Sequence, residues 1–231
     1  MADIILAGST SGSITVSSPA ISGTNTLTLP AVTDTLVGLA ATQTLTNKTL
    51  TAPNLGTPST LVLTNATGLA AAAMPAGSVL QVVSTTKTDT QASTSAAFID
   101  ITGLSASITP SSASNKVLVL WSVNGSQAVA VSAVYLKLLR NSTDIAIGTG
   151  SMGSRIPCSS GIASPAASIL ASPASGNFLD SPASTSSVTY KLQIAATAGS
   201  ALAYVNRTDG DADNASYGRG ASTITVMEIA G

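Results

Sequence analysis

The sequence predicts an all-β protein, in which an extended N-terminal repeat arm, completed by further chains, is followed by a β-sandwich head. A nine-residue repeat in the first third predicts the arm. Alternating apolar and polar residues after residue 78 predict half-buried strands. All seven aromatic residues lie beyond residue 97, so the large side chains that fill a core belong to the second region. We therefore divide the chain into an arm, residues 1–77, and a head, residues 78–231.

The arm carries a threonine at every ninth position. The six positions are Thr15, Thr24, Thr33, Thr42, Thr51 and Thr60. Three of them open the tetrapeptides TNTL, TDTL and TQTL, which end at Leu27, Leu36 and Leu45. Ordering nine residues costs roughly 9–18 kcal/mol, whereas each buried aliphatic side chain returns only about 1.5–3 kcal/mol. We therefore predict that other chains complete the core of the arm, with the three leucines facing the interior of the assembly.

One segment near the end of the arm favours a helix, the LAAAAM run at residues 69–74. Pro75 and Gly77 follow it and break any regular structure. We interpret this point as the hinge between arm and head.

The head contains a series of strand-like runs separated by Gly, Ser and Asn. They span residues 79–83, 98–101, 105–109, 116–123, 128–139, 144–147, 188–194, 201–206 and 222–229. In residues 188–194, Val188, Tyr190, Leu192 and Ile194 share one side, and the polar residues share the other. Eight to ten such strands fit a β-sandwich of jelly-roll type, with a Greek-key sandwich of immunoglobulin type as the alternative.

Two parts of the head depart from simple alternation. Residues 117–121 form a continuous apolar run, which predicts a strand buried on both faces. Residues 151–186 are rich in Ser, Ala and Pro, which predicts long irregular loops with one or two short strands, such as residues 167–170. We expect these loops to pack between subunits, since their Ala and Ile residues are otherwise exposed.

The composition argues against several classes of function. Charged residues make up only 8% of the chain, against about 25% in an ordinary soluble domain. The chain has no histidine, which removes the usual general base, and its net charge of −1 provides no attraction for nucleic acid or anionic membrane. We predict a non-enzymatic protein without a cofactor, a nucleic-acid partner or membrane insertion. The N-terminus lacks the basic segment of a secretory signal, so we expect synthesis in the cytosol.

Two motifs resemble known sites without meeting their requirements. Residues 148–153 match G-x-G-x-x-G, but no helix pattern and no acidic residue about 20 positions later follow them. Asp209, Asp211 and Asp213 alternate like the first ligands of a calcium loop, yet Asn214 and Gly220 occupy the positions that require Gly and Glu. The sequence predicts neither a dinucleotide site nor a regular metal site, with an irregular calcium site near Asp209 as the alternative.

The most polar loop of the head, residues 207–220, is the candidate contact surface. It holds Asp209, Asp211 and Asp213 together with Tyr217 and Arg219. Aromatic and arginine side chains favour recognition of planar and hydrogen-bonding groups. We predict that this loop contacts a sugar or protein ligand, with the aspartates accepting hydrogen bonds from sugar hydroxyls.

Three segments resemble virion structural proteins of tailed bacteriophages, tail fibres in particular. They are ATQTLTNKTLTAPNLGTP at residues 41–58, GTNTLTLP at residues 23–30 and STITVMEIA at residues 222–230. The resemblance implies a homotrimer located in the virion, made in the bacterial cytoplasm, with an intertwined stalk and a β-sandwich head. Its implied partners are further copies of itself, other virion proteins of the tail or capsid, and a host surface polysaccharide or protein.

The resemblance leaves two functions open. A short fibre attaches to the host through its head loops, whereas a capsid decoration protein clamps capsomers through its N-terminal arm and needs no ligand. We favour the fibre, with the decoration protein as the alternative and a bacterial adhesin fragment as a third interpretation.

Overall fold

The computed structural model describes residues 4–7, 9–16, 49, 51, 54, 71–128, 133–162, 169–196 and 202–231. The chain forms two units, Met1–Val62 and Leu63–Gly231. Within the first unit, strands β1 (Ile4–Ala7) and β2 (Ser13–Val16) pair as an antiparallel hairpin. The predicted assembly residues Leu27, Leu36 and Leu45 lie outside the described residues.

The described part of the second unit is all-β, as predicted. It begins with a single 3-10 turn, Ala71–Ala73, within the helix-prone segment. The strands that follow are β3 (Val79–Lys87), β4 (Gln91–Ser93), β5 (Ile99–Ile108), β6 (Lys116–Gln127), β7 (Val134–Arg140), β8 (Thr143–Ile145), β9 (Ser160–Ile162), β10 (Ser172–Asp180), β11 (Val188–Ala196), β12 (Ala203–Val205) and β13 (Ser222–Ile229).

The first sheet is built around β6, with strand order β3-β13-β6-β12-β4 and β10 paired to β6. Strands β12 and β13 lie end to end along one edge of β6, where Val205 is opposite Gly125 and Thr223 is opposite Ser122. Strand β4 pairs with β12, and strand β3 pairs with β13. On the other edge of β6, strand β10 pairs with β6 along the whole length of β10. The loop between β12 and β13 therefore leaves the sheet and returns to it beside the middle of β6.

The second sheet has the order β5-β11-β7-β8, and β9 pairs with β7 beyond the end of β8. All of its pairings are antiparallel. Strand β5 contains a bulge, where the register against β11 shifts and Gly103 adopts a φ of +77°. Glycine suits this left-handed conformation because it has no Cβ. The bulge joins the two runs predicted at residues 98–101 and 105–109 into one strand.

The two antiparallel sheets enclose one hydrophobic core, which gives the unit a β-sandwich-like arrangement. Fully buried side chains come from both sheets: Leu104, Ile108, Val117, Val119, Val123, Leu136, Leu138, Tyr190, Leu192, Ile194, Ile224 and Val226. The alternation predicted for residues 188–194 is confirmed, because Val188, Tyr190, Leu192 and Ile194 are all buried. Strand β5 also contacts β3 and β13 of the opposite sheet.

The prediction for residues 151–186 is wrong in its main feature. Nine of these residues form β10, a full-length partner of β6, whereas Ile169 and Leu170 of the predicted short strand lie outside any strand. The sequence SPASGNFLD of β10 contains no β-branched residue and one glycine, so its intrinsic preference for strand is low. Pairing with β6 and burial of Ala174 stabilise β10 as a strand despite this low intrinsic preference.

The prediction that residues 117–121 are buried on both faces is wrong for the single chain. Val117, Val119 and Trp121 point into the core, while Leu118 and Leu120 lie half-buried on the outer face of the sheet. Although strand β6 is central in its sheet, its outer face carries aliphatic side chains.

Candidate binding loop

The loop of residues 207–220 begins at Asn206, a buried residue that fixes its direction. Asn206 adopts a φ of +61°, a left-handed conformation that asparagine tolerates better than most residues. Its Nδ2 donates to the backbone carbonyls of Lys87 at 2.8 Å and Asp89 at 3.0 Å. Its Oδ1 accepts a 2.6 Å hydrogen bond from Ser222 Oγ at the start of β13. The two ends of the loop are therefore held by one side chain.

The guanidinium of Arg207 contacts several groups in the first half of the loop and holds them in place. Its guanidinium lies 4.4 Å from the centre of the Tyr204 ring, within cation–π range. The same group donates to the carbonyls of Thr208 at 3.1 Å and Asp209 at 2.9 Å. It also forms an ion pair with Asp211, with an Nη1–Oδ2 distance of 3.4 Å. Arg207 acts as a positioning residue for the aspartates that follow it.

Asp211 and Arg219 link the two halves of the loop. Arg219 donates through Nε at 3.1 Å and Nη2 at 3.0 Å to the two carboxylate oxygens of Asp211, a bidentate pair. The Arg219 side chain is 64% exposed, whereas that of Asp211 is 18% exposed. Asp211 is therefore committed to two arginines, and Arg219 presents its remaining surface to solvent.

Tyr204 and Asp209 form a second polar contact under the loop. Burial of Tyr204 raises the pKa of its hydroxyl, and the hydrogen bond from that hydroxyl to the Asp209 carboxylate raises the pKa further. Both effects keep the phenol protonated as a donor to Asp209. This contact ties the loop to β12.

Tyr217 and Asp213 lie toward the tip of the loop. Tyr217 is half-buried, with its ring against Gly210, where an added Cβ would lie 2.2 Å from the ring. Asp213 is exposed and takes no part in the arginine network. The structure therefore brings Asp211 together with Arg219, places Asp209 against Tyr204, and leaves Asp213 apart. Among the described residues, no group of three His, Cys, Asp or Glu side chains is arranged to hold a metal ion.

A cleft beside the loop contains residues that the sequence analysis did not single out. Asn124 of β6, Thr208, and the exposed Ile169 and Leu170 line it together with Arg219. Asn124 and Ile169 are 45 positions apart in the chain, and no spacing motif connects them. Only the pairing of β10 with β6 brings these residues to one place.

Comparisons with known proteins add no family to this description. No protein-family model matches the chain. No curated protein sequence matches it at a significant level either. Within the described ranges, we find no helix whose length and hydrophobicity suit a membrane crossing.

The geometry of the loop suits recognition by a preformed surface. Two arginines hold Asp211, the aromatic rings are packed, and both ends of the loop are fixed by Asn206. A rigid loop loses little conformational entropy when it binds a ligand. The exposed groups that it offers are the outer edge of Arg219, the half-exposed ring of Tyr217 and the carboxylate of Asp213.

Proposed function

We propose that this protein is a non-enzymatic structural protein of a bacteriophage virion, a homotrimeric short fibre whose jelly-roll head attaches to the host surface. The three sequence segments that resemble phage fibre proteins support the virion context. The strand order, the outer face of the first sheet and the loop of residues 207–220 support the remaining parts.

The pairing scheme of the second unit supports a jelly roll over an immunoglobulin-type sandwich. Strands β3 and β4, β8 and β9, and β12 and β13 lie end to end, which reduces the described strands to eight positions in chain order. The first position pairs with the eighth, the second with the seventh, the third with the sixth and the fourth with the fifth. A long hairpin rolled into two sheets produces this antiparallel scheme, which matches an eight-strand double Greek key.

An apolar stripe on the outer face of the first sheet supports assembly with further copies of the chain. Val82 lies opposite Met227, Met227 opposite Leu118, and Leu118 opposite Leu179, so the stripe crosses four strands. Val82 is 55% exposed and Leu179 is 48% exposed. Contiguous exposed apolar surface of this kind marks interaction sites.

The next row of the same face, with Ser84, Thr225, Leu120 and Asn177, is mostly polar, and the row beyond it, with Thr223, Ser122 and Ser175, is polar throughout. Ser84 and Thr225 share a 2.7 Å hydrogen bond, and Ser175 donates to Ser122 at 3.0 Å. An uncharged stripe suits an identical stripe on another copy, because no like charges meet at the symmetry axis. The continuous apolar run around Leu118 is also the pattern of a strand covered on both faces.

The observation that carries the attachment role is the braced loop with Arg219 and Tyr217 at its surface. Replacing both Tyr217 and Arg219 with alanine is expected to abolish adsorption of virions to host cells. Trimers and particles are expected to remain intact, because neither side chain belongs to the hydrophobic core of the head. Adsorption is measured as the loss of free virions from a suspension of host cells.

Arg155 to alanine provides a matched control, because this arginine lies on a different loop of the head. Normal adsorption by the loop double mutant, combined with heat-sensitive particles after deletion of residues 1–30, would contradict the fibre and support capsid decoration through the arm.

A further inference from the structure

The β1–β2 hairpin of the first unit exposes aliphatic side chains in the single chain. Ile5 is 66% exposed and Leu6 is 56% exposed. A two-stranded hairpin is at best marginally stable in water, and it gains stability from further strands or from a packed apolar face. The hairpin therefore needs a partner that covers these side chains.

The register of the hairpin gathers aliphatic residues on one side. Ile4 lies opposite Val16, and Leu6 lies opposite Ile14. Residues directly opposite in an antiparallel pair share a side, as do alternate residues along each strand. These four positions form the Leu6 side of the hairpin. The other side holds the positions of Ile5, Ala7, Ser13 and Thr15.

The absence of charge around the hairpin favours identical copies as its partner. Residues 4–33 contain no Asp, Glu, Lys or Arg. A symmetric assembly brings the same residue of every copy to the axis, so a charge there would face its own kind. An interface with a protein of different sequence commonly uses complementary charges to fix its register, and this segment offers none.

The edges of the hairpin fit the same partner. Among the described residues, β1 and β2 pair only with each other, so each strand has one edge without a sheet partner. When three hairpins surround one axis, β1 of each copy lies beside β2 of the next copy, and the two run antiparallel. The ring then closes and leaves no free edge.

We propose that three copies of the β1–β2 hairpin close into a six-stranded antiparallel ring, with the Leu6 side at its centre. The proposal rests on the homotrimer proposed above and names an element that joins its copies. The strands contain four residues each, too few to hold three chains together alone. Association of the heads raises the effective concentration of the hairpins, and the ring then adds to the stability of the trimer.

The first test is cysteine crosslinking in the full-length protein. Leu6→Cys places a thiol on the side facing the axis, and Thr15→Cys, the matched control, places one on the outer side. A short bifunctional maleimide is expected to give severalfold more covalent dimer with Leu6→Cys than with Thr15→Cys on a denaturing gel. The wild type, whose single cysteine is Cys158, gives the background. Equal dimer yields from the two variants would overturn the proposal.

A second pair of variants measures what the ring contributes to the trimer. Leu6→Asp buries a charge without a partner at the centre of the ring, whereas Ser13→Asp introduces the same charge on the outer side. By sedimentation, trimers of Leu6→Asp are expected to dissociate at a protein concentration about tenfold higher than trimers of Ser13→Asp. The same dissociation concentration for both variants would also overturn the proposal.

These results separate the ring from the proposed function. If the wild type is a trimer but Leu6→Cys crosslinks no more than Thr15→Cys, the ring is wrong and the trimeric fibre stands. If Leu6→Cys crosslinks and Leu6→Asp weakens the trimer, yet virions carrying the Tyr217 and Arg219 double mutant adsorb normally, the ring stands and the attachment function fails.

Discussion

Glu228 shows how a carboxylate is held inside this β-protein by neutral groups. It is 1% exposed and accepts hydrogen bonds from Gln81 Nε2, Asn115 Nδ2, and the backbone and hydroxyl of Ser111, at 2.6 to 2.8 Å. Burial raises the pKa of Glu228, but the bonds from Asn115, Gln81 and Ser111 outweigh it, and the net pKa lies below the ordinary value. The ionised form is therefore stabilised by folding.

The lowered pKa of Glu228 makes stability depend on pH. Because the folded-state pKa is below the unfolded one, the contribution is fully present above the unfolded pKa of about 4.3 and is lost as pH falls through the folded pKa. Glu228→Gln places an amide group where donors converge and is expected to cost about 1–3 kcal/mol at pH 7. Urea unfolding of both proteins at pH 7 and pH 3 measures this. A stability difference that stays constant between the two pH values would contradict the assignment.

Tyr190 links the two sheets through a second buried carboxylate. Its hydroxyl donates to Asp180 Oδ2 at 2.7 Å, and Arg140 Nη1 lies 2.9 and 3.0 Å from the two oxygens of Asp180. Asp180 belongs to β10 of the first sheet, whereas Tyr190 and Arg140 belong to the second. Burial raises the pKa of Tyr190 well above its ordinary value, and the hydrogen bond to Asp180 adds to the effect.

Tyr190→Phe removes this link without changing the volume of the core. We expect the free energy of unfolding to fall by about 1–2 kcal/mol, since Asp180 keeps only Arg140 as a partner. Thermal unfolding measures the change, and Tyr135→Phe, on a half-buried ring in β7, is the matched control. An equal effect of the two substitutions would show that the Tyr190 hydroxyl contributes nothing specific.

At the level of elements, β10 depends on a close contact between a glycine and an aromatic ring. Gly176 lies opposite Trp121 in β6, and a Cβ added to Gly176 would lie 2.3 Å from the Trp121 ring. The only tryptophan of the chain thus occupies the space that a side chain at position 176 would need. The glycine that weakens the strand propensity of β10 is required by its packing.

Gly176→Ala is therefore expected to displace Trp121 and destabilise the head by about 1–3 kcal/mol, the usual cost of overpacking a core. Gly218→Ala is the control, because an added Cβ there meets nothing within 4 Å. Tryptophan fluorescence and chemical unfolding report both effects. Unchanged fluorescence and stability in Gly176→Ala would mean that the ring has room to move.

At the level of the whole molecule, the proposed assembly places the apolar stripe at the interface between copies of the chain. Leu179→Asp places a charge on an exposed position of the single chain, but on a buried position of the proposed trimer. A charge buried without a partner costs several kcal/mol per ion. Light scattering is expected to give three times the 22.6 kDa chain mass for the wild type and a single chain mass for Leu179→Asp.

Ser84→Asp is the control for this experiment, since it introduces the same charge in the neighbouring polar row. A trimeric Leu179→Asp would exclude the stripe as the interface between copies. It would leave the arm, with Leu27, Leu36 and Leu45, as the element that assembles the protein.

The sequence by itself determined the all-β class and most strands of the head. Strand β13 begins and ends where predicted, at Ser222 and Ile229, and the buried side of β11 was predicted residue by residue. These strands alternate with a period of two, and this period is a local property that survives without knowledge of the partner strand. The loop of residues 207–220 was also evident, because its polarity contrasts with the strands on either side.

The tertiary structure alone decided β10, the outer position of Leu118 and the cleft beside the loop. Strand β10 has a weak local pattern, and only its pairing with β6 makes it a strand. Asn124 of β6, Thr208 of the loop and Ile169 ahead of β10 line one cleft, and no periodicity records a contact between distant segments. The ion pair between Asp211 and Arg219 was also decided by the tertiary structure alone. Composition identifies charged residues, but only geometry shows which of them neutralise one another.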